Sequence, residues 1–267
     1  MTHPGHDQNR RLWNEIAEIH YRHPDHNVQR FLSDPDFLSL HPTEQEEMGH
    51  VTGQSLLHLQ CQFGMDTLSW RRKGASYVCG VDISEVSIDL AKRLAREAAI
   101  DNADFVCSDV LELSGKLDRQ FDIVFQSYGT HIWLADLTAW GKVVAEHIKP
   151  GGYFYIIDEH PIWQMVGYPE ENLDYFTNEP THYKGGIDPD YCDRNYIPRE
   201  GSVEWLHTIS EIINSLIQAG LQIEFFNEFP FFYYKPFEDW YEKDGLFYPP
   251  NPRQRFPLMF SLKATRP

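Results

Sequence analysis

Between residues 54 and 158, short apolar runs alternate with longer stretches in which apolar residues recur every three or four positions, the pattern of a doubly wound α/β sheet. Ser55–Leu59 predicts a first strand and Met65–Arg72 a short helix. Tyr77–Val81 predicts a buried second strand ending in Asp82, after which Ser84 is placed to cap a helix carrying Val86, Leu90 and Leu94. Phe105–Cys107, Asp122–Gln126 and Tyr153–Ile157 read as further strands. A helix through Leu137, Trp140, Val144 and Ile148 separates the last two, and Pro150-Gly151-Gly152 is expected to break it.

The flanks differ. Residues 1–53 are polar and His-rich, with one amphipathic stretch, Arg11–His20, that places Leu12, Ile16 and Ile19 on one face until Pro24 stops it. We read 1–53 as an N-terminal helical lid and 54–267 as one domain with substrate-covering insertions at 159–200 and 229–255. A helix is expected over Ser202–Ala219, with Leu206, Ile209, Ile213 and Leu216 inward and Gly220 as its C-terminal cap. Leu221–Phe226 and Phe256–Ala264 read as closing strands. Between them, residues 229–255 hold ten aromatics in 27 positions, which predicts a segment packed over a cavity, with a hydrophobic plug or dimer surface as the competing account.

Composition narrows the partners. With 40 acidic and 23 basic residues the formal charge is −17, which repels polyanions, so nucleic acid and anionic membranes are not expected partners. No apolar run approaches the roughly 20 residues of a bilayer span, and Met1–Arg11 is too polar for a signal peptide. A soluble, cytoplasmic protein is expected, with Cys61, Cys79, Cys107 and Cys192 as free thiols and a homo-oligomer left open.

Ligands in an open α/β sheet bind beyond the carboxyl ends of the strands. The first strand end reads His58-Leu59-Gln60-Cys61-Gln62-Phe63-Gly64, and Asp82 ends the second strand eighteen residues after Gly64. An acid there can accept both ribose hydroxyls of an adenosine cofactor. A dinucleotide would need a G-x-G-x-x-G loop to admit its pyrophosphate, but Gln60 and Gln62 put bulk where those glycines belong. Those amides suit an amino-acid moiety. At the third strand end Asp109 offers a carboxylate to an adenine amino group, with helix capping as the alternative, and Val110 an apolar face. S-adenosylmethionine is therefore the cofactor expected. Cys61 reads as a small core residue inside this loop, and His58 as a satisfied histidine beside the cofactor.

The stretches Leu57–Gly64, Gly80-Val81-Asp82-Ile83-Ser84, Ser108-Asp109-Val110, Phe121-Asp122-Ile123-Val124 and Lys149-Pro150-Gly151-Gly152, in that order and spacing, resemble the class I S-adenosylmethionine-dependent methyltransferases, in particular a subgroup with Leu-His-Leu-Gln-Cys in its first motif. The resemblance covers about 55–158 and departs from the wider family at His58, Gln60 and Gln62. It implies a Rossmann-like, mostly parallel seven-stranded sheet whose last strand is antiparallel, and an N-terminal segment closing over the cofactor. Carried onto this chain, the cofactor-binding positions are Tyr21, His58, Gln60, Cys61, Gly64, Asp82, Ile83, Asp109, Val110 and Ser127.

Methyl transfer from a sulfonium needs an aimed lone pair and exclusion of water, with a general base where the acceptor carries a tightly held proton. The fourth and fifth strand ends, Gln126–His131 and Asp158–Pro161, offer His131 and His160 as base or positioning groups and Tyr128 as a wall. The exocyclic-amine enzymes' Asn/Asp-Pro-Pro-aromatic loop is missing, and Gln126 gives magnesium no carboxylate, so no metal is expected. His20, His23 and His26 read as a solvated face interrupted by Pro24. The expected activity is methylation of a nitrogen or oxygen of a small molecule. A non-catalytic S-adenosylmethionine-binding protein and a protein methyltransferase are the alternatives, and an NAD-dependent oxidoreductase is disfavoured by the missing glycines.

Overall fold

The computed structural model describes residues 3–167, 174–177, 179–250 and 256–267. In chain order the elements are α1 (Pro4–Arg22), α2 (Val28–Ser33), α3 (Pro42–Met48), β1 (Ser55–Leu59), α4 (Met65–Arg72), β2 (Tyr77–Asp82), α5 (Glu85–Glu97), β3 (Ala103–Cys107), β4 (Phe121–Ser127), α6 (Leu137–His147), β5 (Ile148–Glu159) and α7 (Pro161–Gly167). Then come β6 (Thr181–His182), β7 (Val203–Glu204), α8 (Ile209–Gln218), β8 (Gln222–Phe229), β9 (Tyr241–Lys243), β10 (Leu246–Tyr248) and β11 (Met259–Thr265). Short 3-10 turns follow α1 and the third and fourth strands.

Seven strands make one sheet in the order β3-β2-β1-β4-β5-β11-β8. The pairs from β3 to β5 are parallel, and β11 runs antiparallel to both β5 and β8. The order reverses beside β1, so the ends of β1 and β4 form the switch point. Every residue of β1 is buried, as a strand covered on both faces requires. Leu57, Leu59, Val124, Phe154 and Ile156 turn to the side of α6 and α8, while Leu56, Ile123, Phe125, Tyr155 and Ile157 turn to the other side. Each large side chain so removed from water contributes about 1.5–3 kcal/mol.

Four expectations change. The first helix extends over Pro4–Arg22 because its N-terminal half is buried through His6 and Asn9, polar residues that apolar periodicity does not register. The helix expected from Ser202 begins only at Ile209, where Thr208 and Glu211 form a capping box, and Val203–Glu204 pairs with Thr181–His182 as a two-stranded ribbon. Pro150-Gly151-Gly152 does not end a helix. It lies within β5, where the register jumps from Phe121↔Ile148 to Ile123↔Tyr153, while α6 already stops at His147. Finally, His20 is not on a solvated face. It is fully buried, and the turn Pro24–His26 folds the His26 ring back onto it at 5.7 Å.

Residues 229–250 form the β9–β10 hairpin and a bridge between Phe232 and Phe247. Phe232 and Trp240 pack with Trp163 against the sheet, while Tyr234, Phe237 and Tyr241 stay exposed. Residues 251–255 of the expected insertion lie outside the described residues, as do 168–173 and 178 of the other.

Candidate active site

The loop after β1 is built on unusual backbone. Gln60 (φ 54°) and Gln62 (φ 51°) adopt the left-handed conformation, as does Tyr128 (φ 54°) after β4. For a residue with a Cβ this costs on the order of 1–2 kcal/mol, so neighbours must hold each one. They do: the Gln60 amide donates to the Thr130 carbonyl at 3.0 Å and accepts from Gln126 at 2.8 Å, while Trp140 Nε1 donates to Gln126. Gln62 donates from Nε2 to His20 Nδ1 at 3.1 Å. Gly64 caps α4 at φ 73°, and a Cβ there would run into Phe105 and Ala91, so this glycine lets α4, α5 and β3 approach. Cys61 sits in the same core, its amide donating to Val81.

Asp82 closes β2. Buried at 9% exposure, it accepts from the backbone N–H groups of Gln62 (2.8 Å) and Ser84 (2.9 Å), with the Ile83 amide as a weaker third donor. Burial pushes its carboxyl up to about 6, against the pull of those amides. No cation is paired with it among the described residues. Each oxygen thus keeps a lone pair for a further donor, which fits the two hydroxyls of a ribose. Ile83 and Ser84 follow at the mouth of α5, where Asn14 of α1 accepts from the Ser84 hydroxyl.

Asp109 does two jobs within the protein: it caps the following 3-10 turn through the Leu111 amide and accepts from His6 Nδ1 at 2.6 Å. The Ala135 amide donates to the other His6 nitrogen, which fixes the tautomer. Val110 is buried in the α6–α8 core. α1 therefore runs across the strand ends, touching Asp109 with His6, Ser84 with Asn14 and the β1 loop with His20. Trp13 packs edge-on to Trp133 below it. Tyr21 lies edge-on to Phe63 with its hydroxyl buried and without a hydrogen-bond partner among the described residues.

His58 is buried, donor or acceptor to Thr67 at 2.8 Å and 3.5 Å from the Ser127 hydroxyl, and burial lowers it to about 3, so it is neutral. Beyond β4, Tyr128 turns its hydroxyl to Glu44 of α3. His131 and Asp158 meet at the end of β5: Nδ1 faces Oδ2 at 2.9 Å, while Nε2 is buried with no partner among the described residues. Asp158 also collects the amides of Gly129, Thr130 and His131 and the Thr130 hydroxyl. Burial pushes its carboxyl up, but His131 and these donors outweigh that and hold it below the usual range. His160 is used differently. Nδ1 accepts from the Ile162 amide and Nε2 lies 3.2 Å from Glu228, while burial lowers its pKa to about 4.

Residues missed by sequence reading complete the cover. Asp190 accepts from His20 Nε2 at 3.0 Å on both oxygens, and Cys192 stands beside them, the three side chains offering ligand-type atoms within 4.8 Å of one another. Strand-end position could have flagged Asp158, next to last in β5, as it flagged Asp82 at the end of β2. Nothing local marks His6 or Asp190, whose partners lie 103 and 170 residues away. A pocket of about 410 Å³, lined by Asp136, Trp205, His207 and Glu211, lies between the segment after β4 and the start of α8.

Residues 56–152 match the family described as a methyltransferase domain. A ubiquinone biosynthesis O-methyltransferase of Neisseria meningitidis is 25% identical over 47% of this chain and 56% of its own length. A demethylmenaquinone methyltransferase of Lactococcus lactis is 33% identical over 43% and 46%. The chain thus spans about half the length of these two curated relatives. An uncharacterized Haemophilus influenzae protein is 23% identical over 74% and 76%. Among solved structures, the geranyl diphosphate C-methyltransferase of Streptomyces coelicolor overlaps over 100% of this chain and 99% of its own at TM-score 0.62 and 14% identity. A methyltransferase structure from Listeria monocytogenes overlaps 84% of this chain and 97% of its own at 0.56 and 19%. At such identities the likeness speaks for the fold. The matched stretch is thus similar to a methyltransferase domain, its sheet has the fold of these solved structures, and S-adenosylmethionine is the cofactor that these likenesses and the strand-end motifs support.

Proposed function

We propose that the protein methylates a nitrogen or oxygen of a small molecule, with residues 1–53 as the lid that closes over cofactor and acceptor. The observation that carries this reading is the roof over the strand ends: α1 is tied down at His6, Asn14 and His20, and the 174–200 segment covers it through Asp190. A macromolecular segment would have to displace that roof, whereas a small acceptor fits beneath it and is shielded from water. The curated relatives named for quinone biosynthesis support a small acceptor.

Bound here, S-adenosylmethionine supplies a methyl group made electrophilic by its sulfonium. Asp82 takes the ribose hydroxyls, while the β1 loop, Ile83 and Ser127 line the cofactor. The Asp109 oxygens are shared between His6, the Leu111 amide and the adenine amino group. Asp158 holds His131 with Nδ1 protonated, so the buried Nε2 presents a lone pair; it takes the proton that the acceptor loses. His160 and Tyr128 act from behind, one bracing the start of α7 and the other the α3 side. The test is release of S-adenosylhomocysteine from wild type over a panel of small amines, phenols and catechols, with unfolded and folded proteins as controls. Turnover only with proteins would overturn the small-molecule reading.

A further inference from the structure

Gln126 leaves a hard cation no carboxylate at the end of β4, but the cover over α1 presents donors of another kind. Among the described residues, the imidazole of His20, the carboxylate of Asp190 and the thiol of Cys192 converge so that their ligand atoms all lie within 4.8 Å of one another. His20 is fully buried and Asp190 nearly so. His20 Nε2 faces both Asp190 oxygens at 3.0 Å, and the amides of Cys192 and Asp193 hold Oδ1 at 2.9 Å, which leaves Oδ2 turned to the imidazole. The loop is thus fixed by its own backbone against a histidine 170 residues away in sequence.

The far nitrogen of the ring is provided for as well. His20 Nδ1 lies 3.1 Å from the Gln62 amide nitrogen and 3.4 Å from the Tyr191 hydroxyl. Without a metal, Nε2 carries the proton and Nδ1 accepts from Gln62. With a metal on Nε2 the proton moves to Nδ1, and the Gln62 amide, turned over, offers its oxygen as the outer acceptor that metal-bound imidazoles use. Burial and the charges of Asp190, Asp25 and Asp193 push the Cys192 thiol up to about 12. It is protonated in the metal-free protein, and a divalent ion supplies the positive charge that makes it a thiolate.

We propose that His20, Asp190 and Cys192 bind one zinc ion that fastens the 174–200 segment to α1. Mixed nitrogen, oxygen and sulfur donors suit this ion, whereas magnesium and calcium take oxygen. Tetrahedral bonds of about 2.0–2.3 Å separate ligand atoms by roughly 3.3–3.8 Å, inside the span observed. On binding, the Cys192 proton goes to solvent, that of His20 only changes nitrogen, and the two anionic ligands cancel the charge of the ion. Cys192 is partly exposed, so water can reach the fourth corner. The ion secures the cover and takes no part in methyl transfer.

The experiment uses the full chain, freed of metal by a chelator that is then dialysed away, and titrated with zinc by calorimetry and with cobalt(II) as a coloured substitute. Wild type should take up one equivalent of either ion, and the cobalt form should show a near-ultraviolet thiolate-to-metal charge-transfer band beside the visible bands of a tetrahedral site. Cys192→Ser should remove the charge-transfer band and weaken zinc at least about tenfold. Cys107→Ser, at the end of β3, should keep both. Asp190→Asn, which retains a side-chain oxygen for the loop amides, should weaken zinc by a similar factor and takes the place of Cys192→Ser if that variant does not fold. Zinc should also slow hydrogen exchange at the end of α1 and around Asp190. No stoichiometric uptake by wild type, a cobalt spectrum without the thiolate band, zinc affinity that survives both variants, or slowed exchange only elsewhere in the chain would each overturn the proposal.

Discussion

His131 and Asp158, 27 residues apart, share a 2.9 Å contact in which one imidazole nitrogen is committed and the other is left buried without a partner among the described residues. That asymmetry distinguishes His131 from His160, whose two nitrogens are both engaged. Replacing His131 with Gln should lower kcat by about 10²–10⁴-fold with a proton-bearing acceptor and leave cofactor affinity unchanged. Rates and S-adenosylmethionine titrations of the same preparation check it. An equal loss of cofactor affinity would mean that His131 shapes the cofactor site instead.

Asp82 is the proposed anchor of the cofactor. Asp82→Ala should weaken S-adenosylmethionine by about 1.5–3 kcal/mol, the value of hydrogen bonds to a charged group. Because burial holds its carboxyl near 6 in the absence of ligand, and the ionised form is the better acceptor, wild-type affinity should rise with pH through about 6 and then level off. The variant should show no such rise in isothermal titrations between pH 5 and 8.

Glu44 sets a pH dependence of stability. It is fully buried, and desolvation raises its pKa to about 8 despite the hydrogen bond from Tyr128. From its ordinary value of 4.5 up to about 8 the folded protein holds a proton that the unfolded chain has lost, so stability falls as pH rises through that window. The contribution is fully present below 4.5 and its slope is at most about 1.4 kcal/mol per pH unit. Glu44→Gln should flatten the decline, as urea unfolding at pH 5, 7 and 8.5 will show.

The roof can be loosened at one point. His6→Ala leaves the buried Asp109 oxygen and the Ala135 amide without their partner, which costs about 1–3 kcal/mol. Hydrogen exchange should then quicken along the first turns of α1 while the sheet stays protected. Uniform quickening throughout the chain would show that α1 is not a separable cover.

Much of the sheet was legible because its signal is local. Ser55–Leu59 and Tyr77–Asp82 are short, mostly apolar runs without alternation, as strands covered on both sides tend to be. Glycine and serine punctuation located α4 and α5 at Gly64 and Ser84. The cover was far less legible. α1 is buried partly through His6, Asn9 and His20, and hydrogen-bonded burial leaves no apolar period to read. Val203–Glu204 became part of an expected helix because Leu206 and Ile209 continue a 3.6-residue rhythm, whereas the strand depends on Thr181–His182, some twenty residues upstream. Of the site, the acids at strand ends could be found by position. The pairing of Asp158 with His131, of Asp109 with His6 and of Asp190 with His20 required the chain to be folded.

The left-handed glutamines after β1 carry one more implication. A glycine loop is at ease whatever surrounds it, but Gln62 keeps its conformation with the help of His20, a residue of α1. The loop proposed to receive the cofactor and the helix proposed to cover it therefore share one free-energy balance. Whatever factor the cover adds to cofactor affinity, the cofactor must return to the cover. A chain with glutamines in place of glycines has given up an always-ready cradle for one that forms as it shuts, so binding and closure become a single event.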